Sequence, residues 1–168
     1  NTLAQNNLTA AQVAVNAALG AIGVTVDLDV GIATDGFGDS DTLSNIENIT
    51  GTDEADQLTG SDDANVILGN AGDDYIAGLE GADTLSGGLG ADTIEGGLGA
   101  DTISGGEGAD TISGGEGADV IAGGEGADQI AGDAGADTIV GGLGADTIAG
   151  GEGADAISGG EGADQIAG

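Results

Sequence analysis

The apolar positions of this 168-residue chain fall into one register over most of its length. From Gly87 the units read GGLGADTIE, GGLGADTIS, GGEGADTIS, GGEGADVIA and GGEGADQIA, a period of nine. The eighth residue of each unit is Leu or Ile, from Leu58 and Ile67 through to Ile157 and Ile166. A nine-residue period suits neither an amphipathic helix nor the seven-residue repeat of a coiled coil. Glycine at this density would also cost about 1 kcal/mol per residue inside a helix. The unit reads instead as a six-residue turn, GGxGxD, followed by a three-residue strand, xUx. Strand side chains alternate between faces, so the middle Ile or Leu points one way and its small polar neighbours (Thr102 and Ser104, for instance) the other. Two units close one coil with the aliphatic side chains inside. Coils of this kind stack about 4.8 Å apart. The fold class is therefore all-β, a parallel β-roll of stacked 18-residue coils.

Upstream the register decays. Residues 24–28, VTVDL, alternate as a half-buried strand does. Ile49 already stands in the repeat register, and residues 20–55 read as irregular coils of the same roll. Residues 1–19 are a lead-in, in which a short helix over 9–19 would be capped by Thr9 and stopped near Gly20; a strand or an unstructured segment is the alternative. The regular roll runs from 56 to 168. Tyr75 and Phe37 read as packing residues near its start.

The sixth position of the unit changes the picture from shape to chemistry. It runs Asp56, Asn65, Asp74, Asp83, Asp92, Asp101, Asp110, Asp119, Asp128, Asp137, Asp146, Asp155 and Asp164, thirteen positions of which twelve are Asp. The whole chain carries 31 Asp and Glu and no Lys, Arg or His, a formal charge of −31. Nucleic-acid binding needs cationic side chains for the phosphates, and an anionic membrane surface makes the same demand, so both are excluded as partners. No apolar run approaches the roughly 20 residues of a membrane span. Without His there is no Ser-His-Asp triad and no zinc-protease helix, and a carboxylate pair repeated along the chain argues structure rather than one catalytic dyad. Cys is absent, which removes disulfides and thiolate metal sites. The natural partners of unpaired carboxylates are cations, and hard oxygen donors favour Ca²⁺. The chain starts without Met or a signal peptide, as expected of a segment of a longer polypeptide.

Glycine at positions one, two and four permits positive φ and lets the turn direct its carbonyls inward, beside the carboxylate of position six. Calcium takes six to eight oxygens at about 2.3–2.6 Å, more than one turn supplies. Two turns on the same edge, two units apart in sequence, supply enough, so Asp92 pairs with Asp110 and Asp101 with Asp119. Asp74, Asp92, Asp110, Asp128, Asp146 and Asp164 line one edge; Asp83, Asp101, Asp119, Asp137 and Asp155 line the other. The gaps between them predict about nine ions. Turns 51–56 and 60–65 depart from the pattern, with Glu54 and Asp63 in place of the fourth-position Gly and Asn65 in place of Asp, and are expected to bind weakly or not at all. Asn70, Leu79 and Asp133 stand where the second Gly is usual, in turns still expected to bind. Asp27, Asp29, Asp35, Asp39 and Asp41 form a further acidic cluster, without the spacing of an EF-hand, and one extra ion there is the alternative reading.

GGxGxDxUx resembles the nonapeptide of the RTX (repeats-in-toxin) family, the hemolysin-type calcium-binding repeat. The resemblance covers residues 51–168 by register, and VTVDL and DTLSNIENITGT upstream are similar to the lead-in of such modules. It implies a right-handed roll in which each ion lies between stacked turns. Each ion would take one Asp from each turn together with backbone carbonyls, here those of Gly87, Gly96, Gly105, Gly114, Gly123, Gly132, Gly141, Gly150 and Gly159 and of position three. It also implies a bacterial protein exported by type I secretion, extracellular or at the cell surface. The leading expectation is a non-enzymatic calcium-rigidified module of a surface layer, adhesin or matrix filament. The alternative is an accessory roll of a secreted enzyme or toxin whose active domain lies elsewhere. Leu89, Leu98 and Leu143 at position three read as exposed turn-tip residues, with a lateral contact in self-association or cell-surface assembly as the alternative.

Overall fold

The computed structural model describes residues 11–14 and 22–168. Every regular element among them is a strand, and none is a helix that crosses a membrane. The chain winds as a parallel β-solenoid of about seven stacked 18-residue turns. Successive strands alternate between two sheets. One contains Val66–Ala71, Thr84–Leu89, Thr102–Glu107, Val120–Glu125, Thr138–Leu143 and Ala156–Glu161. The other contains Tyr75–Glu80, Thr93–Leu98, Thr111–Gly117, Gln129–Gly135, Thr147–Ala149 and Gln165–Ala167. Each strand pairs with the one two repeat units away: Leu85 pairs Ile103 and Ile103 pairs Ile121 in the first sheet, Ile94 pairs Ile112 and Ile112 pairs Ile130 in the second.

That register stacks the eighth-position side chains into one core, a file from each sheet. Ile49, Leu58, Ile67, Ile76, Leu85, Ile94 and their successors to Ile148 are buried, and Val24 and Val26 extend the core upstream. Ile157 is partly buried, and Ile166 in the last coil is exposed. Phe37 and Tyr75 do not join the core as expected: Phe37 is 69% and Tyr75 37% exposed. The reason is position. Tyr75 occupies the outward-facing seventh place of its unit, and Phe37 lies on a hairpin tip outside the roll.

Most regular strands are six residues long, not three. Thr93–Leu98, for example, alternates exposed Thr93, buried Ile94, exposed Glu95 and buried Gly96. The ladder runs on through positions one to three because glycine there places no side chain on the inward face. The turn proper shrinks to positions four to six.

The N-terminal region departs further from expectation. β1 (Ala11–Ala14) is a strand parallel to β5 (Ile46–Thr50); the remaining residues of the candidate helix, with Thr9 and Gly20, lie outside the described residues. β2 (Thr25–Asp27) forms where the VTVDL alternation predicted a strand and pairs parallel with β6 (Gln57–Ser61). Between β2 and β5, however, the chain does not coil. β3 (Ile32–Thr34) and β4 (Ser40–Thr42) run antiparallel and extend the second sheet as a meander. No GGxGxD turn occurs in this stretch. Its carboxylates close tight reversals instead: Val30 N–H donates to Asp27 Oδ1 at 2.8 Å, and Phe37 and Asp39 N–H donate to Asp35 Oδ1 at 2.9 and 3.0 Å.

Candidate metal centres

The ladder continues into each turn. Gly90 N–H donates to the Glu107 carbonyl and Thr111 N–H to the Asp92 carbonyl, both at 2.8 Å. One lone pair of most third-position carbonyls is thus already engaged by the coil below. Positive φ is confined to positions two and four, as at Gly88 (119°) and Gly90 (125°). Position one was expected to need it too, and does not. Its glycine is required for space, because a Cβ on Gly87 would lie 2.1 Å from Asp92 Oδ2 and 2.7 Å from the Gly105 carbonyl oxygen. The sixth-position carboxylate therefore folds inward, beneath the coil, into the room the first glycine leaves. Asn70, Leu79 and Asp133 accept the left-handed backbone of position two at φ 85°, 80° and 69°.

From Asp74 to Asp146 these Asp residues are only 1–2% exposed. Each Oδ1 is engaged by the amide of the matching Asp one coil earlier: Asp74 N–H donates to Asp92 Oδ1 at 2.8 Å, and Asp92 and Asp110 N–H to Asp110 and Asp128 at 2.9 Å. On the other edge Asp83, Asp101 and Asp119 N–H donate to Asp101, Asp119 and Asp137 at 2.9, 2.8 and 2.9 Å. Oδ2 is different. In Asp74, Asp83, Asp92, Asp101, Asp110, Asp119, Asp128, Asp137 and Asp146 it is buried with no hydrogen-bond partner. Each of these nine atoms faces the carbonyl oxygen of a first-position glycine in the next coil, from Gly87 for Asp74 to Gly159 for Asp146, both lying within 2.8 Å of one point.

Two acceptors converging in a buried space with no donor between them are costly unless something positive joins them. Burial, the largest cause, pushes the Asp74 carboxyl up to about 7 and that of Asp83 to about 6, against an opposing backbone hydrogen bond. Asp92, Asp101, Asp110, Asp119 and Asp128 are raised for the same leading reason. The donors are all oxygen, anionic carboxylate plus carbonyl, which fits a hard divalent cation such as Ca²⁺. These Asp residues and glycine carbonyls would hold it, and it would supply the missing positive charge and tie one coil to the next. Asp155 and Asp164 lie in the last coil, part-buried, their Oδ1 atoms accepting from Asp137 and Asp146 at 3.1 Å.

The two departing turns are closed by the protein itself. Asp56 Oδ2 accepts from Thr52 N–H at 2.6 Å, and Asp56 Oδ1 accepts from Val24 N–H at 2.7 Å and the Thr52 hydroxyl at 3.0 Å. Asn65 Oδ1 accepts from Ser61 N–H at 2.7 Å, and its Nδ2 donates to Ser61 Oγ at 3.3 Å. Neither turn holds an unpartnered inward oxygen. The turns with Asn70, Leu79 and Asp133 keep theirs, on Asp74, Asp83 and Asp137. One buried acceptor was not singled out in the sequence: Glu47 Oε2 has no partner, and Glu47 lines a small cavity with Asn45, Ser61 and Asp63.

A parallel solenoid with two internal columns of half-satisfied carboxylates defines a calcium-binding β-roll module. The family model described as RTX calcium-binding nonapeptide repeat (4 copies) matches residues 50–85, 77–112, 104–139, 113–148 and 131–166. The chain belongs to that family. A search of curated proteins finds no match to it.

Proposed function

We propose that this chain is a non-enzymatic structural module of an extracellular bacterial protein, which folds and stiffens when Ca²⁺ enters between its coils. The nine inward Oδ2 atoms, each set against a glycine carbonyl, carry the reading. Each coil contributes two Ile or Leu side chains to the core, too little apolar burial to offset the entropy of ordering two whole repeat units. The metal-binding free energy then becomes folding free energy. Extracellular calcium at millimolar concentration matches the weak affinities of such modules. A cytosol poor in free calcium would leave the chain unfolded and fit for export through a narrow channel. The repeat length suits a stalk, layer or filament, and the exposed Leu89, Leu98 and Leu143 at turn tips support lateral contact between rolls.

Equilibrium dialysis against ⁴⁵Ca tests the proposal. Uptake of about nine ions per chain, released by chelator, is expected; uptake of one or two would contradict it. Sedimentation velocity at millimolar Ca²⁺ tests the lateral contact, for which a strictly monomeric particle is the contrary result.

A further inference from the structure

The repeat is nearly uniform at position five. Ala82, Ala91, Ala100, Ala109 and every later unit carry Ala there, and only turn 69–74 carries an acid, Asp73. Asp73 does not hang free in solvent. Ala91 N–H, in the turn one coil on, donates to Asp73 Oδ1 at 2.9 Å. The same oxygen lies 3.1 Å from where a Cβ on Gly90 would stand. The carboxylate thus bridges turns 69–74 and 87–92 at the mouth of the gap they enclose. Inside that gap lie the unpartnered Oδ2 of Asp74 and the Gly87 carbonyl, and Asp92 reaches it through Oδ1, which accepts from Asp74 N–H; Asp74 and Asp92 are 2% and 1% exposed. The charge of Asp73 acts on both of them.

We propose that the gap between turns 69–74 and 87–92 is the strongest cation site of the roll, the first to fill, and that the charge of Asp73 makes it so. This rests on the calcium reading above. Calcium affinity rises with the anionic charge gathered at a site, and no other gap gains a carboxylate held across both of its turns. Asp133, the nearest rival, adds charge beside Asp119, but it is held by the Ser113 hydroxyl of strand Thr111–Gly117 and not by an amide of the facing turn. The turn below, 51–56, is closed by Thr52 and needs no ion. The first ion would therefore seat directly on structure that hydrogen bonds have already formed.

The chain carries its own reporter. Tyr75, the only Tyr in a sequence without Trp, follows Asp74 directly, and Tb³⁺ bound beside it is sensitised by its excitation. Titrating the full chain with Tb³⁺ is expected to bring half or more of the tyrosine-sensitised emission by the first equivalent, where equal sites would bring about one ninth. Asp73→Asn keeps an acceptor for Ala91 N–H and removes only the charge. Asp73→Ala installs the repeat's own residue, so both variants are expected to reach the wild-type circular dichroism at saturating Ca²⁺. Both should weaken the first phase about tenfold, the order expected for one unit charge beside a divalent ion across solvent. Asp133→Asn should leave it unchanged. Emission that grows in proportion to total uptake, or an Asp73→Asn titration that overlays the wild type, would overturn the inference while leaving the calcium reading intact. Absence of uptake would remove both.

Discussion

At the scale of the residue, each repeat position has one job. The sixth supplies a carboxylate whose two oxygens are unlike: Oδ1 is bound to an amide of the neighbouring coil, and Oδ2 is buried without a partner. The first glycine makes room for that carboxylate, so Gly105→Ala, whose Cβ would meet Asp110 Oδ2 and the Gly123 carbonyl, should lose an ion site and destabilise the neighbouring coils. Gly106→Asn should destabilise the coil as well, because a Cβ there would lie 2.0 Å from the Gly88 carbonyl oxygen and its φ of 123° exceeds the 85° and 69° of Asn70 and Asp133, but it should leave the ion count unchanged. Urea titrations and ⁴⁵Ca dialysis of both variants check the contrast. Protonation follows from the same buried oxygens. Without metal, the Asp74 carboxyl is raised from 3.8 to about 7 in the folded roll, so between those values the folded state holds more protons than the unfolded chain. Metal-free stability should then grow as pH falls through 7 and be lost as it rises, while protons compete with calcium. Circular dichroism in excess chelator should show more β-structure at pH 5 than at pH 8, and the Ca²⁺ midpoint should be higher at pH 6 than at pH 8. The Asp and Ile columns were legible in the sequence because their period is exposed in the residues themselves. The division of labour between Oδ1 and Oδ2 was not, since it depends on an amide in the neighbouring coil, far away in sequence. The first glycine was legible as invariant in the regular units, but for the wrong reason: conformation was inferred where the structure shows volume.

At the scale of the element, the strands are longer and the turns shorter than the motif suggested, because hydrogen bonding in a parallel stack ignores the boundary between xUx and GGx. The core is two facing files of aliphatic side chains, one from each sheet, and Ile112 lies buried in its file between Ile94 and Ile130. Ile112→Ala should cost about 2–5 kcal/mol, read from the urea midpoint at fixed Ca²⁺. Turns 51–56 and 60–65 are a separate class, held by Thr52 and Ser61. Thr52→Val removes the hydroxyl bonded to Asp56, and a loss of about 1 kcal/mol is expected, with calcium stoichiometry unchanged in dialysis. The meander β2–β3–β4 was the least legible element. The register of Ile49 had suggested irregular coils, whereas the segment runs antiparallel, with Asp27 and Asp35 each giving Oδ1 to backbone amides at the reversals. Short polar segments with Gly and Asp favour many turn types, and nothing in their spacing selects antiparallel pairing.

At the scale of the molecule, the roll stacks carboxylates coil upon coil without a single basic side chain. Nine calcium ions would bring the formal charge from −31 to about −13, and would place that neutralisation inside the turns, where the orphaned oxygens lie. The outline of this assembly, a calcium-binding parallel roll, was readable from period and charge together, because thirteen repetitions average out local ambiguity. Far-ultraviolet circular dichroism of the chain, first in excess EGTA at pH 7.5 and then across a Ca²⁺ titration, tests the central claim most directly. A disordered spectrum that converts cooperatively to parallel β-structure at sub-millimolar to millimolar calcium is the result required; full β-signal already present in EGTA and indifferent to added calcium would contradict it.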